Sequence, residues 1–398
     1  MTSWHLARGF RFAGVPCGIR PDGDPQRRDL ALLLSDVPAA AAGVFTQNRV
    51  QAAPVRLCRE RLPAQDVRGV VVCSGNANAC TGPRGLADAR RMAELAAAAV
   101  GCRPEQMLVS STGVIGRHLP MDRVAHGIRL AAEQLDASAA ALDRAAHAIL
   151  TTDTRIKVAT QQAAIDGAEV RLTGLAKGAA MIGPNLATML AFVLTDAAVA
   201  PADLAAIAAR AADQTFNCVS VEGHTSTNDT LLLLANGTGP RLHGDALARF
   251  TSAAVAVCAD LARAIAADAE GAAHFVTIEV EGLRDDAEAR RVARTVAESA
   301  LVKTALFGAD PNWGRIVSAA GYAGVEFAEE QLSLWLGDLL LYHAGTPQPF
   351  DPATASAYLK NNRDVYLRLR FPLGPGRCIF WTCDLTYEYV KLNAEYTT

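Results

Sequence analysis

Residues 177–192 read KGAAMIGPNLATMLAF and place a small residue, Ala187, directly before a threonine that begins an apolar strand. A threonine hydroxyl is a poor nucleophile at neutral pH and needs a base beside it. If the peptide bond before Thr188 were cut, the freed α-amine, with a pKa of about 8, would supply that base on the same residue. The segment therefore fits either an amino-terminal threonine nucleophile or an ordinary turn into a strand, where β-branched residues are favoured.

Composition and charge narrow the class of protein. The 398-residue chain is 51% hydrophobic, enough for one large core or two to three smaller ones. A formal net charge of −3 with interspersed charges suits neither nucleic acid nor an anionic membrane as a partner. No stretch approaches the roughly 20 apolar residues of a membrane span, and the amino terminus does not resemble an export signal. Nine scattered cysteines indicate reduced thiols, so we expect a cytoplasmic protein.

Apolar runs and alanine-rich stretches alternate along the chain, which predicts a layered α/β fold. Strands are predicted over residues 28–36, 69–72, 107–112, 189–194, 230–234, 275–280 and 365–371. Helices are predicted over residues 86–100, 119–135, 139–149, 201–212, 246–267 and 285–302. Residues 174–184 and 345–363 are candidate boundaries, although neither resembles a flexible linker.

Sequence motifs for metal and nucleotide binding are not found. The eight histidines form no HExxH pair, and no GxGxxG or GxxxxGK[ST] loop occurs, so no metal site and no cofactor are predicted. The PNWGR block, Pro311 to Arg315, could build a binding wall because a tryptophan stands beside an arginine. Asn-Trp-Gly also fits a buried turn, and we expect this structural role.

Many ordered blocks carry a resemblance to a known family. They are AAGVFTQNRVQAAPV, SGNANACTG from Ser74, SSTGVIG from Ser110, LTTDT from Leu150, KGAAMIGPNLATML, TSTNDTLLLLANG from Thr225, AEGA from Ala269, LFGADPNWGRI from Leu306 and NAEYTT at the carboxyl end. With them the chain resembles the glutamate N-acetyltransferase family, also called ornithine acetyltransferases, essentially from end to end.

The resemblance implies a fold and a maturation step. The fold would be a layered sandwich of β-sheets and helices, of the amino-terminal-nucleophile type shared with the aminopeptidase DmpA. The precursor would cleave itself before Thr188, giving an α chain of residues 1–187 and a β chain of residues 188–398 that interlock as one catalytic unit. Two such pairs would associate as α2β2.

The resemblance also assigns residues to roles. Thr112 and Gly113 match the oxyanion positions, where a hydroxyl and a backbone N–H stabilise a tetrahedral intermediate. Lys177 suits a substrate carboxylate, Glu270 suits an ammonium group, and Asn393 offers donors and acceptors. The full set implied for substrate binding is Thr151 or Thr152, Lys177, Thr188, Glu270, Asn393 and Thr398. Taken alone, Glu270 would be a solvated residue and the carboxyl-terminal tail would be frayed.

The implied reaction moves acetyl from N2-acetylornithine to glutamate through an acetyl-Thr188 intermediate, in arginine biosynthesis. No motif decides whether acetyl-CoA also serves as a donor. Two alternatives stay open: a relative that transfers or hydrolyses acyl groups on other amino acids, and a non-catalytic paralogue that is never cleaved. Ala180, Glu222 and His224 depart from the family's usual residues, and a β-carbon at Ala180 is expected to strain the turn before the cleavage site.

Overall fold

The computed structural model describes residues 4–20, 24–165, 167–183 and 189–395, which form two β-sheets covered by helices. The first sheet contains β1 (Phe10–Val15), β2 (Leu30–Phe45), β3 (Ala64–Asn76), β4 (Met107–Val114), β5 (Lys157–Ile165), β6 (Ala168–Lys177), β7 (Leu190–Thr195) and β8 (Thr230–Ala235). The second contains β9 (Phe275–Leu283), β10 (Ser333–Leu336), β11 (Leu339–His343), β12 (Thr346–Pro347), β13 (Asp364–Arg370) and β14 (Gly376–Cys383).

Most of the described helices begin at a capping side chain or a proline. The described helices are α1 (Ala53–Arg61), α2 (Gly82–Val100), α3 (Met121–Glu133), α4 (Ala139–Ala148), α5 (Pro201–Gln214), α6 (Gly244–Ala266), α7 (Asp286–Glu298), α8 (Ala300–Phe307), α9 (Trp313–Gly321), α10 (Pro352–Asn361) and α11 (Tyr387–Glu395). Proline lies in the first turn of α1, α2, α5 and α10, where its missing N–H costs no hydrogen bond.

The first sheet runs in the order β4-β3-β2-β8-β7-β6-β5, with β1 also paired to β2. Strands β7 and β8, which follow residue 188, thus lie between β2 and β6, which precede it. Alternate side chains of β7 enter two different cores, Phe192 on one face and Val193 on the other. Helices α1–α4 contribute to the first core and α5–α6 to the second, so the sheet is a buried middle layer.

The second sheet has the order β12-β11-β10-β13-β9-β14 and its own core with α7, α9 and α10. Ser220, which lies between α5 and β8, connects this part of the chain to the second sheet, because its backbone N–H donates to the Trp381 carbonyl of β14 at 3.1 Å. No described helix is long and apolar enough to span a bilayer.

The layered α/β class is confirmed, and so are most predicted elements, with three corrections. Residues 285–302 are not one helix, because Ser299 adopts an extended conformation and caps α8 through Val302 N–H. Residues 345–363 are not a boundary, since they contain β12 and α10, whose Leu359 is fully buried. Gly174 lies inside β6, paired with both neighbouring strands, so the turn there begins only after Lys177.

Candidate functional site

A cleft with about 690 Å³ of empty volume is lined by residues from distant parts of the chain. All of the predicted site residues that the structure describes line it: Thr112, Gly113, Thr151, Thr152, Lys177, Glu270 and Asn393. The predicted Ala187, Thr188 and Thr398 lie outside the described residues. The cleft therefore brings together residues that the sequence could connect only through the family resemblance.

The end of β4 supplies the predicted oxyanion turn. Lys177 Nζ donates to Thr112 Oγ1 at 3.2 Å, and a hydroxyl that accepts from an ammonium group still has its own hydrogen to donate. Gly113 has φ +130°, and a β-carbon there would lie 2.3 Å from the Gly75 carbonyl carbon. Only glycine fits this position, which explains why the turn ends in Thr-Gly.

Lys177 is buried at the end of β6 beside a carboxylate that sequence analysis did not single out, Asp153. Burial lowers the pKa of Lys177, and the negative charge of Asp153 opposes this shift. Although burial alone would raise it, the positive charges of Lys177 and Lys157 bring the pKa of Asp153 to about 2. Asp153 therefore opposes the effect of burial on Lys177, which lines the cleft.

Another part of the cleft lining carries a carboxylate and an amide. Asn393 Nδ2 donates to Glu270 Oε2 at 3.1 Å, and the Glu270 backbone N–H donates to the Ala179 carbonyl at 2.9 Å. Thr386 anchors the start of α11, because its hydroxyl donates to the Gly271 carbonyl at 2.6 Å. Residues 387–395 are therefore helical, whereas residues 396–398 of the tail lie outside the described residues. Glu270 is a half-buried cleft residue rather than a solvated one.

The segment before Ala187 is held by the turn that contains Glu222. Backbone N–H groups of residues 221, 222 and 223 all converge on the Ile182 carbonyl at 2.7–3.2 Å, and the Glu222 carboxyl accepts from the Ile182 N–H. In the segment before Ala187, the residue with a left-handed conformation is Met181, with φ 58°, and not Ala180. The strain expected at Ala180 is therefore not found, and the methyl group of Ala180 lines the cleft instead.

The chain after residue 188 is fixed as firmly. Met189 N–H donates to Asp229 Oδ1 at 3.2 Å, and the Met189 carbonyl accepts from Thr230 N–H at 3.1 Å. Asp229 is fully buried, and burial raises its pKa well above the usual range of a carboxyl group. Ile182 and Met189, described residues on either side of the predicted cleavage site, are thus both held by hydrogen bonds.

Sequence analysis missed several lining residues, although it quoted their block. Ser226, Thr227 and Asn228 line the cleft just before β8. Asn228 Nδ2 donates to the carbonyls of Ala77 and Ser111 at 2.6 and 2.8 Å, which ties this loop to the end of β4. Such a bridging amide has no local sequence signature, so the block indicated the family but not the contact.

The PNWGR block has a structural role, but it forms the half-buried start of α9 and not the expected buried turn. Asn312 caps α9 by accepting from the Arg315 N–H, and Trp313 stacks on Tyr342 with ring centroids 5.5 Å apart. Arg315 Nη1 donates to the Leu301 carbonyl at 2.9 Å, and the residue does not line the cleft. Among the described residues, no group of three or more His, Cys, Asp or Glu side chains has the arrangement of a metal site.

Burial of the Glu222 carboxyl predicts a pH-dependent stability. Desolvation raises its pKa from 4.5 to about 7, so the folded state binds the extra proton and stability falls as pH rises between these values. Glu222→Gln keeps an acceptor for Ile182 and removes the charge. We expect it to stabilise the protein by about 1–3 kcal/mol at pH 8 and to leave it unchanged near pH 4.5.

Urea unfolding of both proteins at the two pH values measures this difference. Glu298→Gln is the matched control, because that carboxylate is partly exposed and pairs with Arg294. An equal gain at both pH values would show that charge burial at Glu222 is not the cause.

Comparison with known proteins identifies the family. The ArgJ family model matches residues 11–398. The arginine biosynthesis bifunctional protein ArgJ of Symbiobacterium thermophilum is 49% identical over 98% of this chain and 97% of its own length. ArgJ 1 of Nostoc sp. is 47% identical with the same coverage. The crystal structure of the Bacillus halodurans protein argJ matches with a TM-score of 0.50 and 39% identity, over 52% of this chain and 98% of that chain. This chain therefore belongs to the ArgJ family.

Proposed function

We propose that the chain cleaves itself between Ala187 and Thr188 and that the freed Thr188 then carries acetyl from N2-acetylornithine to glutamate. The observation that carries the proposal is the cleft, which brings together the predicted oxyanion turn, the buried Lys177 and the Glu270 carboxylate. Ile182 and Met189, on either side of the proposed cleavage site, are held by hydrogen bonds. Proteins named for arginine biosynthesis match the chain over nearly its whole length, which supports this choice of pathway.

Cleavage and transfer use the same hydroxyl. In the first reaction Thr188 Oγ attacks the Ala187 carbonyl, and the C–N bond breaks to give an ester and the free Thr188 amine. Water then hydrolyses the ester, which releases the Ala187 carboxylate and regenerates the Thr188 hydroxyl. In the second, Thr188 Oγ takes acetyl from the α-nitrogen of acetylornithine, and ornithine leaves with a proton on that nitrogen. The amine of glutamate then attacks the acetyl ester and regenerates the hydroxyl.

The described cleft residues suit both substrates, because each carries an α-carboxylate and an amino group. We assign the carboxylate to Lys177 and to one of Thr151 and Thr152, and a substrate ammonium group to Glu270 with Asn393. Thr112 and Gly113 would stabilise the oxyanions of both reactions. Thr398 would complete the site from the carboxyl end.

The size of the solved relative supports two separate chains. The argJ chain from Bacillus halodurans is matched over 98% of its length yet covers 52% of this chain, the size that one product of a cut before Thr188 would have. We propose that residues 1–187 and 188–398 stay together as αβ, that two such pairs form α2β2, and that the enzyme acts in the cytoplasm.

Intact mass and amino-terminal sequencing of the purified protein, followed by acetyl exchange, test the proposal. We expect two chains, the second beginning at Thr188, and ping-pong transfer of labelled acetyl from acetylornithine to glutamate with a trapped acetyl-Thr188. A single chain that never matures would indicate the non-catalytic alternative. Faster transfer to water or to other amino acids would indicate a relative that acts on other amino acids. Acetyl-CoA offered as the donor decides whether the enzyme is bifunctional.

A further inference from the structure

A buried chain of three ionised side chains lies behind the cleft. Lys157 Nζ donates to Asp153 Oδ1 and to Asp268 Oδ2, at 2.6 Å in each case. The side chains of Lys157 and Asp153 have no exposed surface, and that of Asp268 is 5% exposed. Burying three charges is expensive unless every one is paired, and structural ion pairs are rarely this deep. The position of these three side chains behind the cleft therefore indicates a role in the site.

One end of this chain organises the predicted carboxylate site. Asp153 Oδ1 accepts from the Gly178 N–H at 2.6 Å, and Asp153 Oδ2 accepts from the Thr151 N–H at 3.1 Å. Gly178 directly follows Lys177 at the end of β6, and Thr151 lines the cleft. A single carboxylate thus fixes both backbone segments that present the proposed ligands of the substrate carboxylate.

The other end reaches the segment that carries Glu270. Asp268 accepts from the Thr154 N–H at 3.0 Å and from the Thr154 hydroxyl, and it stands two residues before Glu270. This series of buried side chains therefore connects the part of the cleft that carries Lys177 with the part that carries Glu270. This arrangement sets the spacing between them through buried hydrogen bonds rather than through exposed side chains.

The charges that face Lys177 show what Asp153 contributes. Asp153 and Asp229 act to keep Lys177 charged, whereas Lys157 and Arg20 act to discharge it. Burial raises the pKa of Asp229 well above its ordinary value. Of the four charges, Asp153 has the largest effect on the pKa of Lys177, and it opposes the effect of burial.

We propose that Asp153, backed by Lys157 and Asp268, is a positioning residue that keeps Lys177 charged and oriented for the α-carboxylate of the substrate. The inference rests on the proposed function and deepens it. It assigns selection for a free α-carboxylate to a residue that does not itself line the cleft. An enzyme without this carboxylate loses its preference for acids over neutral analogues.

The test compares acetylornithine with its α-carboxamide in the mature parent enzyme and in Asp153→Asn. We expect the parent to prefer the acid strongly and the variant to lower the ratio of the two kcat/KM values at least 10-fold, mainly through KM for the acid. A merely structural loss lowers both values alike and leaves the ratio unchanged. We also expect the alkaline limb of the pH profile of kcat/KM for acetylornithine to move to lower pH in the variant, because Lys177 loses its proton more easily.

Asp196→Asn is the matched control. Asp196 is equally buried, pairs with Arg8 at 3.0 Å and accepts from the Arg171 N–H at 2.9 Å, at the other end of β7 from the cleft. We expect it to lower stability without changing the ratio. If Asp153→Asn cannot be recovered, Asp268→Asn replaces it, with a smaller fall in the ratio.

The outcomes separate the two proposals. No acetyl transfer by the parent enzyme contradicts the proposed function. If the parent enzyme is active and Asp153→Asn has the same ratio of kcat/KM values as the parent, the role of Asp153 is overturned and the proposed function stands. The same holds for Asp268→Asn where that variant has to be used. An equal fall in Asp196→Asn also overturns it, since any buried carboxylate would then have the same effect.

Discussion

Thr188→Ala is expected to accumulate as one uncut chain and to lose acetyl transfer by at least about 10⁴-fold. The methyl group cannot attack the Ala187 carbonyl, and without the cut there is no free α-amine to act as a base. The Met189 N–H donates to Asp229 and the Met189 carbonyl accepts from Thr230, so the substitution should leave the fold intact. Denaturing electrophoresis and acetyl exchange measure the two losses separately.

Thr188→Ser is the matched control for this prediction. It keeps the hydroxyl and loses only a methyl group, so we expect it to cut itself and to transfer acetyl, both more slowly than the parent. Cleavage that persists in Thr188→Ala, or a cut that maps to another bond, would contradict the mechanism.

Thr112→Val is expected to lower kcat by about 10²–10³, the usual effect of removing one oxyanion donor. Valine has the shape of threonine, so the end of β4 should not rearrange. Lys177 loses an acceptor at 3.2 Å, and part of the effect will appear in KM for the acid substrates. Self-cleavage should slow as well, because it passes through a tetrahedral intermediate at the same carbonyl-binding site.

Thr112→Ser provides the control because it restores the hydroxyl without the methyl group. We expect kcat within about 10-fold of the parent value, since most of the donor's contribution is retained. If serine and valine at this position reduce kcat equally, the hydroxyl is not the oxyanion donor and the turn acts only through Gly113.

Local patterns predicted the interior of the fold better than its edges. Buried strands such as β7 and β8 are nearly continuous apolar runs, and helices such as α5 begin at proline, so both are visible in short windows. Strands β10–β12 are only two to five residues long and pair mostly with one another or with β13. They pair with one another across two-residue turns, and only the pairing of β10 with β13 joins distant segments. Strands this short contain too few residues for a periodic pattern to indicate them.

The candidate site could be predicted only through the family resemblance. Thr112, Lys177 and Glu270 lie far apart in the sequence, and no spacing rule connects them. Asp153 was within a quoted block and still missed, because an aspartate among threonines is typical of a turn or a helix cap. Its importance arises from burial between Lys157 and Lys177, which is a property of the folded molecule.

The placement of β7 and β8 between β2 and β6 has a consequence for how the protein refolds before and after the proposed cut. Before the proposed cut, the sheet can reassemble after unfolding at a rate independent of concentration. After the cut, strands of one product lie between strands of the other, and recovery requires two separate polypeptides to meet in the right register. Refolding then becomes second order, and the mature protein behaves as an obligate complex whose stability depends on its concentration. Folding must come first and cutting second.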